Sequence, residues 1–211
     1  PRPLSKRFRI VYTGVWKDGY NPSELYDSID WIRRCRPALL DNVEVIAAGF
    51  TPGEAERRGL TAYIDERGVV PHDEAVSLMR SADILYLSHV AADRQWAVPG
   101  KIYEYLASGS PVLGLMPADK ETAQIVRRIG GGITVSPEDP GALFEVLAEA
   151  CRLKKLVVPA LQTEALNGFE RRQLTAKLAA VLEDAASHAP LHHTALRMGA
   201  SSSAMLATRS S

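Results

Sequence analysis

Short apolar runs that close on glycine or a small residue alternate with amphipathic stretches along most of the chain. Residues 9–13 (R-I-V-Y-T) are β-branched and aromatic and stop at Gly14, as a buried strand does when it enters a tight turn. Leu25, Ile29 and Ile32 then recur at helical spacing, with Asn21 as the expected N-cap, Pro22 as the first helical residue and an end near Pro37. Residues 43–48 with Gly49 repeat the strand-then-glycine pattern. Residues 52–59 suit a short helix ending on Arg57 and Arg58, and another strand is expected within 62–70. Asp73 and Glu74 open a helix bearing Val76, Leu78, Met79 and Ala82, and the apolar run I-L-Y-L-S at 84–88 reads as a strand buried on both faces.

Beyond a polar loop at 89–99 the pattern continues: helix at 101–108, strand at 111–115, helix at 121–128, a glycine break at 130–132 and a strand at 133–135. Asp139 and Pro140 form a cap and first-turn pair for a helix carrying Leu143, Val146, Leu147 and Ala150, and Leu174, Leu178 and Val181 mark one more amphipathic helix. Strands alternating with helices across short turns predict an α/β fold, a Rossmann-like doubly wound parallel sheet with helices on both faces. Residues 1–7 read as the remnant of a linker, since the chain opens at Pro1 on basic residues, and 8–186 as the single domain. Periodicity is lost at 187–211, which includes His192 and His193, and that stretch is expected to be a disordered tail with solvated histidines.

Composition narrows the classes. With 211 residues, 46% of them apolar, the chain can bury one full core. Twenty-five basic side chains balance twenty-five acidic ones and no basic cluster stands out, which argues against a nucleic-acid partner. Two cysteines, Cys35 and Cys151, give neither a disulfide framework nor zinc-site spacing. No apolar run reaches the roughly 18 to 20 residues of a membrane span, and no signal peptide opens the chain. The expectation is a cytoplasmic protein, with room for peripheral contact at the inner face of a membrane.

In an open parallel sheet, ligands bind beyond the carboxyl ends of the strands. The first such turn, Y-T-G-V-W-K, offers Gly14 for close backbone approach to an anion and Lys17 as a point charge; a structural glycine with a solvated lysine is the alternative. The segment V-P-G-K-I-Y-E-Y-L-A-S-G-S-P-V-L at 98–113 carries more. Pro99 and Gly100 open a helix whose unpaired amides, with the Lys101 ammonium, suit a phosphate. Glu104, one turn deeper on the same face, suits a ribose diol; the alternative is a surface carboxylate paired with Lys101.

This passage resembles the donor-binding motif of glycosyltransferases with the GT-B fold, in particular the retaining families that use nucleotide sugars, on Glu104, Ala107, Ser108, Gly109, Pro111 and Val112. Supporting segments are Tyr12-Thr13-Gly14, Gly68-Val69-Val70-Pro71, Ser81-Ala82-Asp83-Ile84-Leu85 and Gly130-Gly131-Gly132, so the likeness spans residues 8–183. It implies that Glu104 binds the ribose hydroxyls, that the amides of Gly100 and Lys101 hold the diphosphate, that Val70 offers its backbone to the base beside Pro71, and that Gly14 and Lys17 face the diphosphate. It further implies a nucleotide diphosphate sugar such as a UDP-sugar as donor, no metal or other cofactor, a missing N-terminal GT-B domain as partner, and a place in polysaccharide biosynthesis.

Two positions depart from the family's pattern. Trp96 stands eight residues before Glu104, where many retaining members have a second glutamate near the donor sugar, and Gly14-Val15 replaces Gly-Arg, leaving Lys17, Lys101 or Arg94 as the phosphate cation. The absence of any Asp-x-Asp sequence agrees with metal-independent transfer. Other readings are a non-catalytic nucleotide-binding or scaffolding module, an epimerase-like relative, and a nicotinamide-dependent oxidoreductase. For the last, the first turn lacks Gly-x-Gly-x-x-Gly. His72 and His89 are expected to be solvated or capping, Arg33, Arg34 and Arg36 to be the exposed end of the first helix, and at least one of Tyr103 and Tyr105 to be core.

Overall fold

The computed structural model describes residues 7–17, 21–90, 97–169 and 171–188. Six strands, β1 (Phe8–Thr13), β2 (Val43–Ala48), β3 (Ile64–Glu66), β4 (Ile84–Ser88), β5 (Val112–Leu115) and β6 (Gly132–Val135), form one sheet in the order β3-β2-β1-β4-β5-β6, and every pairing is parallel. The chain builds outward from β1 to β3, then returns to the other side of β1 and builds from β4 to β6. The reversal lies between β1 and β4, where Ile10 pairs with Ile84 and Val11 with Leu85. This is the Rossmann-like α/β architecture expected from the alternating pattern.

The helices are α1 (Ser23–Cys35), α2 (Glu54–Arg57), α3 (His72–Ser81), α4 (Lys101–Ser108), α5 (Glu121–Ile129), α6 (Pro140–Leu153), α7 (Thr163–Asn167) and α8 (Arg171–His188). Strand residues divide by parity between two cores. On one face Ile10, Tyr12, Tyr86 and Leu115 pack with Leu25, Ile29 and Ile32 of α1 and Leu143 and Leu147 of α6. On the other, Val11, Leu85 and Val112 pack with Leu78 and Met79 of α3, Ile102, Tyr105 and Leu106 of α4, and Ile125, Val126 and Ile129 of α5. A sheet covered on both sides needs apolar residues at both parities, which is why all five residues of β4 are buried.

The structure corrects several local expectations. Pro22, rather than Asn21, is the N-cap of α1, although the Asn21 carboxamide oxygen still accepts the Ser23 amide at 2.9 Å. Pro37–Leu40 forms a 3₁₀ turn, and α7 follows a segment with no helical periodicity. Chain contacts separate a unit ending at Glu170 from one beginning at Arg171. In the latter, Leu178 and Val181 of α8 are exposed, because a periodic apolar stripe specifies a helix without supplying anything to cover it. Of the expected tail, 189–211 lie outside the described residues. No helix among the described residues is long and apolar enough to cross a membrane.

Candidate functional site

The loops leaving β1, β2 and β3 are stitched together by backbone bonds from Gly14 N–H to Ala48 C=O (2.8 Å) and from Gly49 N–H to Gly68 C=O (2.7 Å). Gly49 sits at φ +107°, and a Cβ added there would lie 2.5 Å from the Gly14 carbonyl oxygen, so only glycine permits the two turns to cross so closely. Above this crossing lies a cleft of about 480 Å³ lined by Val15, Trp16, Phe50, Thr51, Glu54, Arg57 and Val69, with Gly49 at its floor. Trp16 meets Phe50 edge-on at 5.1 Å and Tyr26 at 6.2 Å, which fixes the indole as one wall. Val15 and Val69 are largely exposed at its rim.

Glu66, the last residue of β3, holds the second wall. Its carboxylate accepts the amides of Gly53 (2.6 Å) and Ala55 (3.2 Å) at the start of α2, and the Tyr26 hydroxyl at 2.8 Å. A carboxylate on unpaired helix-terminal amides is favourable, and here it aims α2 so that Glu54 and Arg57, themselves ion-paired, face the cleft.

Gly100 precedes α4 as its N-cap, is exposed, and leaves open space where a Cβ would stand. The first turn is tight: the Ile102 amide bonds Pro99 C=O at 3.1 Å and the Tyr103 amide bonds Gly100 C=O at 3.2 Å. The Gly100 and Lys101 amides have no acceptor among the described residues, and they point along the positive end of the helix dipole. Lys101 Nζ donates to Glu104 Oε2 at 3.0 Å, with side chains 30% and 47% exposed. Among the described residues the helix entrance is therefore exposed, and the carboxylate and ammonium expected to contact a ligand contact each other.

Tyr105 ties this entrance to the first strand. Its fully buried hydroxyl accepts the Thr13 amide at 2.8 Å and donates to the Thr13 carbonyl at 3.2 Å. Burial pushes the Tyr105 phenol up to about 12, so it stays a neutral donor throughout the physiological range. Through this bond α4, with Lys101 and Glu104, is held to the residue that precedes Gly14.

Among the other expected site residues, Lys17 is exposed, with its carbonyl accepting from the Asn21 carboxamide at 3.3 Å. Val70 is half-buried against the core beneath α3, and Pro71 is the N-cap of that helix. Arg94 and Trp96 lie outside the described residues. His89 departs from expectation: it is buried rather than solvated, with Nδ1 3.2 Å from the Thr122 hydroxyl at the start of α5. Arg33 and Arg34 pair with Asp30 and Arg36 pairs with Glu145 at the end of α1. The cleft residues Trp16, Phe50, Thr51, Glu54 and Arg57 escaped the sequence reading, although aromatic residues just after two strand-ending glycines were a usable signal.

No protein-family model matches the sequence, and no curated protein matches it. Solved structures do resemble the fold. Sucrose-phosphate synthase from Thermosynechococcus elongatus superposes with a TM-score of 0.63 at 16% identity, over 88% of this chain and 47% of that one. HepE from Anabaena, solved in complex with UDP and glucose, gives 0.62 at 16% identity over 86% and 49%. The pneumococcal O-GlcNAc transferase GtfA, solved in complex with UDP and GlcNAc, gives 0.60 at 14% identity over 85% and 36%. This chain spans less than half the length of each, and at these identities the likeness establishes the fold.

Proposed function

We propose that this chain is the donor-binding half of a GT-B glycosyltransferase, the C-terminal half of a retaining type, which transfers a sugar from a nucleotide diphosphate sugar. The observation that carries the reading is the exposed entrance of α4, with two amides that have no acceptor among the described residues, Lys101 and Glu104, at the carboxyl end of a sheet that reverses direction between β1 and β4. The diphosphate sits on the Gly100 and Lys101 amides, Lys17 approaches from the first turn, and Glu104 takes the ribose hydroxyls. The base lies toward Val70 and Pro71, where the cleft walled by Trp16 and Phe50 offers an aromatic surface. Similarity to chains solved with UDP supports a uridine donor.

The chemistry follows from charge. As the glycosidic bond breaks, negative charge builds on the departing diphosphate, and fixed amide dipoles and ammonium groups aimed at it lower the barrier without a metal. An individual preorganised donor of this kind contributes on the order of 3 kcal/mol. Ribose binding requires Glu104 to leave Lys101, and because exposed pairs are worth only about 0.2–1 kcal/mol the exchange is easily offset. The Lys101–Glu104 pair is also the observation that favours a non-catalytic surface reading.

Calorimetry with UDP, GDP and TDP distinguishes the two. The donor-site reading expects one of them to bind, with Lys101→Ala and Glu104→Ala each weakening it about tenfold, the equivalent of ~1.4 kcal/mol. Binding by none of them, or binding indifferent to both substitutions, contradicts it. Acceptor recognition is assigned to an N-terminal GT-B domain, and activity to the two halves together.

A further inference from the structure

The two walls of the cleft above Gly49 come from different elements, and one carboxylate outside the cleft reaches both. Glu66 ends β3, where it pairs in register with Ala47 of β2, so the sheet fixes its backbone. Its Oε2 accepts the Gly53 amide at 2.6 Å and its Oε1 the Ala55 amide at 3.2 Å, which seats the first turn of α2 and puts Glu54 and Arg57 at the edge of the cleft. The same Oε1 accepts the Tyr26 hydroxyl at 2.8 Å. Tyr26 is fully buried, and its ring meets the Trp16 indole edge-on at 6.2 Å, so the seat of that phenol sets the wall on the other side.

Arg58, at the end of α2, joins only part of this set. It lies over the Tyr26 ring at 5.7 Å and pairs with Glu54 at 2.6 Å and with Asp27 of α1, but none of its bonds among the described residues reaches a strand. Glu66 is the group that ties both walls to the sheet. A carboxylate held by three donors has little freedom to turn, and supporting bonds of this kind keep a site within about 0.5 Å of one geometry. The cleft, at about 480 Å³, falls in the range of about 300–1,000 Å³ occupied by small-ligand sites, and its aromatic walls suit a flat ring.

We infer that Glu66 is the positioning residue of this cleft: through α2 and Tyr26 it sets the gap between Trp16 and the Glu54–Arg57 edge, and so how tightly a nucleobase is gripped. The role rests on the donor-site reading above, which puts the base beside Trp16 and Phe50. Glu66 does not line the cleft and acts only through Gly53, Ala55 and Tyr26.

The test is calorimetry on the full chain with UDP and with inorganic pyrophosphate, for the unsubstituted protein and for Glu66→Ala, Glu66→Gln and Asp139→Ala. Pyrophosphate has no base and reports the α4 entrance alone. Asp139→Ala removes a cap from α6 and reports lost stability alone. Trp16 emission is read in parallel, as the difference between each protein and its Trp16→Phe counterpart, which removes the signals of Trp31 and Trp96. We expect Glu66→Ala to weaken UDP about tenfold, to leave pyrophosphate unchanged and to shift Trp16 emission to longer wavelength. Glu66→Gln keeps one acceptor oxygen and should restore part of both effects, and Asp139→Ala should change neither. Where Glu66→Ala does not fold, Glu66→Gln carries the same comparison with a smaller change. Equal losses of UDP and pyrophosphate, a loss of UDP shared by Asp139→Ala, or Trp16 emission indifferent to both Glu66 variants overturns the inference. A chain that binds no UDP removes the donor-site reading, and Trp16 emission then decides alone whether Glu66 sets the wall: a shift upholds that role and its absence refutes it.

Discussion

Tyr105→Phe removes one oxygen atom from the centre of the structure and leaves the ring in place. The hydroxyl is fully buried, accepts the Thr13 amide at 2.8 Å and donates to the Thr13 carbonyl at 3.2 Å. Deleting it strands a buried N–H, which costs about 1–3 kcal/mol, and removes a second bond worth about 1 kcal/mol, so a loss of about 2–3 kcal/mol is expected. For a domain of this size each 1 kcal/mol moves the melting temperature by about 2–4 °C, which predicts a fall of about 5–10 °C. Thermal melting followed by circular dichroism, with urea titration to check that the m-value is unchanged, reads the effect directly. A Tyr105→Phe protein that melts within 1 °C of the parent would show that this bond does not hold α4 to the end of β1.

Further outcomes follow from other positions. Gly49→Ala puts a Cβ 2.5 Å from the Gly14 carbonyl at φ +107°, so urea denaturation should show a loss of about 2–4 kcal/mol, against little change for Gly100→Ala, where the space is open. Asp139→Ala removes the cap whose Oδ1 accepts the Ala142 amide at 3.0 Å and should cost about 1 kcal/mol in the same assay. Burial pushes the Cys151 thiol up to about 11, so a thiol reagent at pH 8 should label the exposed Cys35 promptly and Cys151 only on unfolding. Tyr12, Tyr26, Tyr86 and Tyr105 are all raised, in each case chiefly by burial. A raised folded pKa leaves its contribution intact below the unfolded value near 10 and loses it as pH climbs toward 12 and beyond, so tyrosinate absorbance should rise together with cooperative alkaline unfolding.

How much of this was legible depended on whether the determining contacts were local. The strand at 84–88 and the helix at 101–108 fall where the pattern puts them, because an unbroken apolar run and an i, i+3, i+4 stripe each follow from one segment's own burial. The entrance of α4 was legible for the same reason: Pro99, Gly100, Lys101 and Glu104 are neighbours in the chain. The cleft was not, since Trp16, Phe50 and Arg57 come together only after three loops are aligned by the sheet and α2 is seated on Glu66. His89 looked like a surface histidine because its partner, Thr122, lies 33 residues away on α5. The stripe on α8 shows the reverse limit, a helical period that says nothing of what, if anything, covers it.

The most direct measurement is a crystal structure of the chain with UDP. The account predicts the diphosphate on the Gly100 and Lys101 amides, with Glu104 released from Lys101 and bonded to the ribose. A nucleotide bound elsewhere, or one seated there while Glu104 still grips Lys101, would contradict it.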